Sequence, residues 1–326
     1  MSVMISQLNG IAFLPFIDQS NLLFSELEKR FNFIKKPNAY YGDLIYFEGE
    51  KEFFSKEKPY FARVVLEEPF ILNFDSISEA ANELKKIQRN WAPYFYTNFR
   101  RGSLIQEKLP YINLKERVFP FSIPQSPMGL YTLIDNNTII ASAKTNSFLP
   151  AGLLRFKEDH ENPPSRAYLK IQESLTMANL FYGTPFPTKN QKCFEAGACP
   201  GGWTWVLVGL GSNVHAVDRA ELAPSLMENP LVKFQAHDAF TLKPQEIGKV
   251  DWVLSDVICY PSRLLEWIKT WLESELTDNM ICTIKMQGEI DWPLIKQFSD
   301  ISNSKIIHLN YNKHELTWLW SKNGEK

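Results

Sequence analysis

The residues best suited to chemistry lie in the C-terminal half, where short apolar runs repeatedly end in polar groups. The stretch Phe194 to Trp203, FEAGACPGGW, follows one such run and opens a helical segment. Gly197 has no Cβ, so a ligand can approach its backbone closely. Gly201 and Gly202 open a helix whose first N–H groups have no partners inside it. A nucleoside-bearing ligand can lie against that turn. Asp218, at the end of the next run, stands where a carboxylate accepts from ribose hydroxyls. The spacing is not a dinucleotide G-x-G-x-x-G, and there is no Lys for a P-loop. A tight strand-to-helix turn with no ligand would use the same glycines, so the turn alone decides nothing. Asp238 comes after the third run, Asp256 after the fourth, and Lys285 ends the fifth. A single surface acid is ordinary. Charged groups at successive strand ends imply one shared rim.

Those runs are the elements that must hold the rim. From Lys192 onward the pattern is strand alternating with helix. The strands expected are Lys192–Ala196, Asn213–Val217, Val232–Gln235, Asp251–Leu254, Met280–Ile284, Lys305–Leu309 and Leu316–Trp320. Helical stretches at Trp203–Leu210, Leu222–Met227, Pro261–Glu275 and Trp292–Ile301 separate most of them. Such alternation means a parallel sheet covered on both faces. The last two strands are joined by only Asn310 to His314, too short for a crossover, so they form an antiparallel hairpin. Ahead of the sheet, Ser165 is read as the cap of a helix from Arg166 to about Phe181 with Glu173 in its early turns.

The chain as a whole bounds the reading. Its 326 residues suffice for two domains. It is 44% hydrophobic and 22% charged, with a net charge of −2, a composition with no disordered or low-complexity tract. That charge gives no global attraction to nucleic acid, so any RNA footprint must be local. Candidate patches are Lys35-Lys36, Lys85-Lys86 with Arg89, and Arg100-Arg101 beside Tyr94-Phe95-Tyr96 and Phe99, a mixture suited to stacking bases. The four cysteines, Cys193, Cys199, Cys259 and Cys282, form no C-x-x-C pair, so buried reduced thiols are expected rather than zinc or disulfides. The N-terminus lacks a basic lead, and its short apolar run contains Pro15, unlike a signal peptide. No apolar stretch is long enough to span a bilayer.

The N-terminal half reads as a mixed α+β unit. Residues 1 to about 55 are rich in Phe and Tyr, with one amphipathic stretch from Leu22 to Phe33. Strands are expected at Phe61 to Leu66 and Phe70 to Phe74, a helix capped by Ser76 over Ile77 to Gln88, and a hairpin joining Leu130–Ile134 to Thr138–Ala143 across Asp135-Asn136-Asn137. A proline-bearing connector from Phe148 through Pro163-Pro164 sets the expected boundary, giving an N-terminal domain of 1–150 and a C-terminal domain of 151–326.

The C-terminal residues resemble the FtsJ-like family of RNA 2′-O-ribose methyltransferases. Within that family they are most similar to the bacterial group that methylates a cytidine ribose in 23S ribosomal RNA. The resemblance rests on Pro164-Ser165-Arg166, Leu169-Lys170, Gly197-Ala198-Cys199-Pro200-Gly201-Gly202-Trp203-Thr204, Ser225-Leu226-Met227, Asp238 with Phe240, Asp256 with Pro261, Lys285, and Glu315 with Thr317. It implies an α/β fold with a Rossmann-like methyltransferase sheet, mostly parallel with an antiparallel last strand. It implies S-adenosyl-L-methionine as cofactor, no metal, and a Lys-Asp-Lys-Glu tetrad at Lys170, Asp256, Lys285 and Glu315. Cofactor contacts would come from Glu195, Gly197, Ala198, Cys199, Pro200, Gly201, Gly202 and Trp203, with Asp218 near the ribose, Asp238 near the adenine and Asp256 near the methionine end. The family usually has Asp where this chain has Glu195. Two lysines facing two carboxylates in one cleft perturb each other, and Lys285 is the candidate base, kept neutral by the like charge of Lys170. The implied partner is RNA, 23S rRNA either free or in a ribosomal precursor, for a cytoplasmic monomer without membrane association. The N-terminal domain would be a reduced THUMP-like RNA-recognition unit, suggested by Tyr60-Phe61-Ala62-Arg63 and the segment Thr145 to Phe156. The alternatives are an RNA-binding assembly factor without turnover and a 2′-O-methyltransferase of another RNA such as tRNA.

Overall fold

The alternating C-terminal pattern builds one twisted sheet in the computed structural model, which describes residues 4–49 and 51–324. The opening residues of the stretch read for a signal peptide lie outside the described residues. Two compact units are present: residues 1–116 with 123–155, and residues 156–326 with the inserted segment 117–122.

In the N-terminal unit the elements run β1 (Met4–Gln7), β2 (Gly10–Pro15), α1 (Ser20–Lys29), β3 (Ala39–Tyr41), β4 (Leu44–Glu48), β5 (Ala62–Leu66) and β6 (Phe70–Asn73), then α2 (Ile77–Ile87), β7 (Trp91–Pro93), α3 (Phe99–Lys108), β8 (Gly129–Leu133) and β9 (Thr138–Ser142). They form a five-stranded sheet, β1-β6-β9-β8-β7, and a four-stranded sheet, β3-β4-β2-β5. One apolar cluster joins the two sheets through Leu14, Leu44, Val64, Leu130 and Ile140. A second packs Ala80, Ala81, Leu84 and Ile105 of α2 and α3 under Trp91 and Tyr131. Ser76 caps α2 as expected, accepting from the Glu79 N–H at 3.2 Å. The hairpin of β8 and β9 is antiparallel, pairing Leu133 with Ile139.

In the C-terminal unit the order is α4 (Tyr168–Tyr182), β10 (Lys192–Ala196), α5 (Gly202–Gly209), β11 (Asn213–Asp218), α6 (Pro224–Met227), β12 (Val232–Ala236) and α7 (Pro244–Ile247), then β13 (Val250–Ser255), α8 (Pro261–Ser274), β14 (Thr277–Ile284), α9 (Trp292–Ser299), β15 (Ser304–Ile307) and β16 (Leu316–Ser321). The seven strands lie in the order β12-β11-β10-β13-β14-β16-β15. β10 pairs in parallel with both β11 and β13, and β16 runs antiparallel to both β14 and β15. This is the expected Rossmann-like sheet, mostly parallel with an antiparallel last strand. The central strands β13 and β14 are buried at every residue but Asp251 and Asp278, as expected of a sheet covered on both faces. Trp252, Trp271 and Trp318 are among the largest fully buried side chains.

Two local expectations are corrected. Ser165 does not cap α4, whose first residue is Tyr168 and whose N-cap position is Ala167. Ser165 instead lies against α5, where a Cβ added at Gly202 would come within 2.5 Å of its Oγ. The helix expected over Leu222–Met227 is shortened to α6, because Ala223 is extended and Pro224 takes the first helical position. Among the cysteines, Cys193, Cys259 and Cys282 are buried, whereas Cys199 is exposed.

Candidate active site

The strand order reverses between β10 and β13, and an open α/β sheet binds ligands at that point, outside the carboxyl ends of its strands. The glycine turn leaves β10 there, and Asp256 leaves β13 beside it. The register fixes this neighbourhood, since Ala196 pairs with Ser255 and the Asp256 N–H reaches the Ala196 carbonyl at 3.4 Å. One strand further, Ile284 of β14 pairs with Leu316 of β16. In an antiparallel ladder the next residues outward are then Lys285 and Glu315, set side by side although the hairpin comes late in the chain.

Lys170, in the first turn of α4, completes the group. Its Nζ lies 2.7 Å from Glu315 Oε1 and 3.2 Å from Asp256 Oδ1. Lys285 Nζ lies 3.2 Å from the same Asp256 Oδ1 and donates to the Asp256 carbonyl at 2.6 Å. The four residues named from sequence thus form one connected cluster, Glu315–Lys170–Asp256–Lys285. Burial penalises the Lys170 ammonium, but the charges and hydrogen bonds of Asp256 and Glu315 outweigh that cost, and its pKa is raised above the usual lysine value. Lys170 is therefore held as a cation. Asp256 Oδ1 thus lies between the two lysine nitrogens, 3.2 Å from each.

The glycine turn is shaped by close approaches. Gly197 has a φ of +77°, and a Cβ there would meet Val257 Cγ2 at 2.6 Å. Gly201 has a φ of +107°, and a Cβ would meet Leu226 Cδ1 at 2.3 Å. Glu195 faces inward rather than into the cleft. It is 2% exposed, and its Oε2 accepts from Thr204 Oγ1 at 2.6 Å. The Thr204 backbone N–H also donates to it, so Glu195 caps the start of α5 from the end of β10. Burial pushes its pKa up to about 8, with the nearby charges of Asp256 and Asp218 adding to the rise.

Asp218 accepts from the backbone N–H groups of Cys199 at 3.0 Å and Ala220 at 3.1 Å. Each carboxylate oxygen keeps a further lone pair for a ligand hydroxyl. Asp238 is bound by Arg219 at 2.7 Å and Arg263 at 3.2 Å, and it accepts from the Phe240 N–H at 3.1 Å. Although partial burial opposes it, these partners hold the Asp238 pKa below the ordinary carboxylate range. Ala198 and Trp203 are buried, and Cys199 and Pro200 lie exposed at the tip of the turn.

Residues 163–292 match the family model described as FtsJ-like methyltransferase. The FtsJ-like segment spans α4 through the start of α9 and contains three of the four clustered residues. Curated relatives include ribosomal RNA large subunit methyltransferase M of Aggregatibacter aphrophilus, 35% identical over 165 residues, which cover 50% of this chain and 42% of that one. The protein of the same name from Hahella chejuensis is 36% identical over 148 residues, covering 45% of this chain and 37% of its own. The chain thus matches less than half the length of these two relatives. Among solved structures, the fibrillarin pre-rRNA processing protein of Methanococcus jannaschii aligns over 43% of this chain and 70% of its own, at 19% identity and a TM-score of 0.32, a loose likeness.

Several supporting residues carry no distinct signal in the sequence. Arg219 and Arg263 on Asp238 are ordinary surface arginines until the fold brings them together. Glu173 stands out in the sequence only for its place in the helix. In the structure it is fully buried and accepts from the Asn310 N–H at 3.0 Å, Asn310 Nδ2 at 2.7 Å and the Tyr311 N–H at 3.1 Å. It therefore anchors to α4 the turn that leads to Glu315. Asn312 donates to the Glu315 carbonyl at 3.1 Å. A glutamate in a largely apolar helix was the available signal.

Proposed function

We propose that the chain methylates a ribose 2′-hydroxyl of ribosomal RNA, with S-adenosyl-L-methionine as donor, 23S rRNA as substrate, and Lys170, Asp256, Lys285 and Glu315 as catalytic residues. The observation that carries this reading is the Glu315–Lys170–Asp256–Lys285 cluster at the reversal of strand order, within and just beyond the FtsJ-like segment. The relatives named as ribosomal RNA large subunit methyltransferases support the substrate class.

The donor set fits the cofactor. The Asp218 carboxylate retains acceptor capacity for ribose hydroxyls, Asp238 offers a carboxylate for an exocyclic amine, and Asp256 faces the end that carries positive charge. When bound, S-adenosyl-L-methionine supplies an electrophilic methyl group. Lys285 in its amine form has two hydrogens and one lone pair. The Asp256 carbonyl and Oδ1 engage the hydrogens, which leaves the lone pair to take the ribose proton. By taking that proton, Lys285 would leave the ribose oxygen free to accept the methyl group of a cofactor that Asp218, Asp238 and Asp256 would hold. Lys170 stays protonated and fixes Asp256 and Glu315, and this positioning supplies much of the acceleration.

The N-terminal unit is read as the RNA-recognition part, a reduced THUMP-like module in a cytoplasmic monomer. Stacked Tyr94 and Tyr96 rings, with centroids 6.1 Å apart, and an exposed Phe99 beside Arg100 support this reading. Among the described residues no helix is long and apolar enough to cross a membrane. The test is a mass-spectrometric map of ribose methylation in 23S rRNA from cells with the gene, without it, and with a Lys170→Ala copy. One 2′-O-methyl mark that vanishes in the last two strains is expected. Survival of every mark would overturn the ribosomal assignment and direct the search to tRNA.

A further inference from the structure

The loop that leaves β13, Asp256-Val257-Ile258-Cys259-Tyr260, alternates inward and outward. Val257 packs on the glycine turn, close enough that a Cβ at Gly197 would strike it. Cys259 is 8% exposed and lies near enough to Lys285 and Arg263 to feel both charges. The outward residues of the loop face solvent, Ile258 at 79% and Tyr260 at 67% exposure. Large apolar side chains standing together at the mouth of a cleft forgo the gain of burial and mark an interaction site. Neither takes part in the ion pairs or the hydrogen bond that hold the cluster together.

The geometry points to Ile258 and Tyr260 as a platform on which bases of the RNA substrate stack, next to the nucleotide whose ribose is methylated. This rests on the reading of the cluster as a ribose methyltransferase site. A ribose held at Asp256 and Lys285 carries its own base and its neighbours' past residues two and four positions along the same loop. Single-stranded nucleotides are held by aromatic and apolar faces, a mode indifferent to base identity. Tyr260 occupies the N-cap position of α8 without a side-chain cap hydrogen bond, so its replacement removes no cap from the helix.

The experiment compares wild type, Tyr260→Ala, Tyr260→Phe and Ile258→Asn on 23S rRNA extracted from cells lacking the gene. It measures methylation kinetics, filter binding of the same RNA, S-adenosylhomocysteine affinity and thermal melting. The expected result for Tyr260→Ala is a KM for RNA raised ~10-fold or more, with weaker RNA binding in proportion. Its kcat, cofactor affinity and melting temperature stay near wild type, Tyr260→Phe behaves as wild type, and Ile258→Asn is intermediate. An unchanged KM in Tyr260→Ala, or a Tyr260→Phe as impaired as Tyr260→Ala, would overturn the platform. If wild type binds this RNA through Tyr260 but transfers no methyl group, the catalytic reading falls and the binding surface stands.

Discussion

Lys170 Nζ and Glu315 Oε1 lie 2.7 Å apart, joining the first turn of α4 to the residue that precedes β16. Lys170 is the sole bridge between Glu315 and Asp256 among the ion pairs of the described residues. Replacing Lys170 with Met keeps the length of the side chain and removes the charge. Asp256 then loses one of its two lysine partners and Glu315 loses its own. Single-turnover methylation by Lys170→Met is expected to slow by ~10²-fold or more. Cofactor affinity, measured by calorimetry, should change far less. A variant that turned over at the wild-type rate would remove Lys170 from the mechanism.

Lys285→Ala removes the amine that would take the ribose proton. General-base catalysis contributes ~10²–10⁴-fold, so kcat should fall within that range while the KM for RNA holds. The Asp256 carbonyl, which receives the Lys285 hydrogen bond at 2.6 Å, faces the cleft and can be rehydrated, so folding should survive. Rate measurements with a melting curve on the same preparation separate the two effects.

Most of the element order of the C-terminal sheet was legible because most strands are short apolar runs ended by a glycine or a polar residue; the one-turn helix α7 was not expected, and β12, VKFQA, is only partly apolar. The observed bounds differ from the expected ones mainly at strand and helix ends. What the sequence does not carry is register. That Lys285 and Glu315 stand side by side follows from the pairing of Ile284 with Leu316, and one residue of slip would turn one of them away. Glu195 shows another limit. A carboxylate at the end of a strand has the look of a cofactor contact, and the sequence carries no sign that it also accepts from Thr204 near the start of α5. In the N-terminal half, β1 to β4 are not distinguished by pattern, because β2 and β4 are apolar on both faces and lose the period-two signal.

Gly201→Ala tests the turn itself. A φ of +107° is costly for any residue with a Cβ, ~1–3 kcal/mol. The added carbon would also lie 2.3 Å from Cδ1 of Leu226, a side chain only 2% exposed with little room to yield. The expected loss of melting temperature is about 2–4 °C for each kcal/mol in a unit of this size. Weaker cofactor binding should accompany it, since the start of α5 must move. A calorimetric melt together with S-adenosylhomocysteine titration checks both, and an unperturbed melt would show that the turn is not under steric control.

Glu195 gives the fold a pH dependence with a definite sign. Burial raises its carboxyl from the ordinary 4.5 to about 8 in the folded chain, so the native state holds this proton more tightly than the unfolded chain. Its contribution is fully present below about pH 4.5 and is lost as pH rises through about 8. Glu173 has the same sign, with its carboxyl pushed by burial to about 7. Glu195→Gln keeps an oxygen to accept from Thr204 and cannot ionise. In urea unfolding at several pH values between about 5 and 8, the stability of Glu195→Gln relative to wild type should rise with pH, by at most ~1.4 kcal/mol per unit. Glu173 is common to both proteins and cancels in that difference. A difference that stays constant across this range would mean that Glu195 is ionised in the folded protein, with its charge met by the first turn of α5 rather than by a proton.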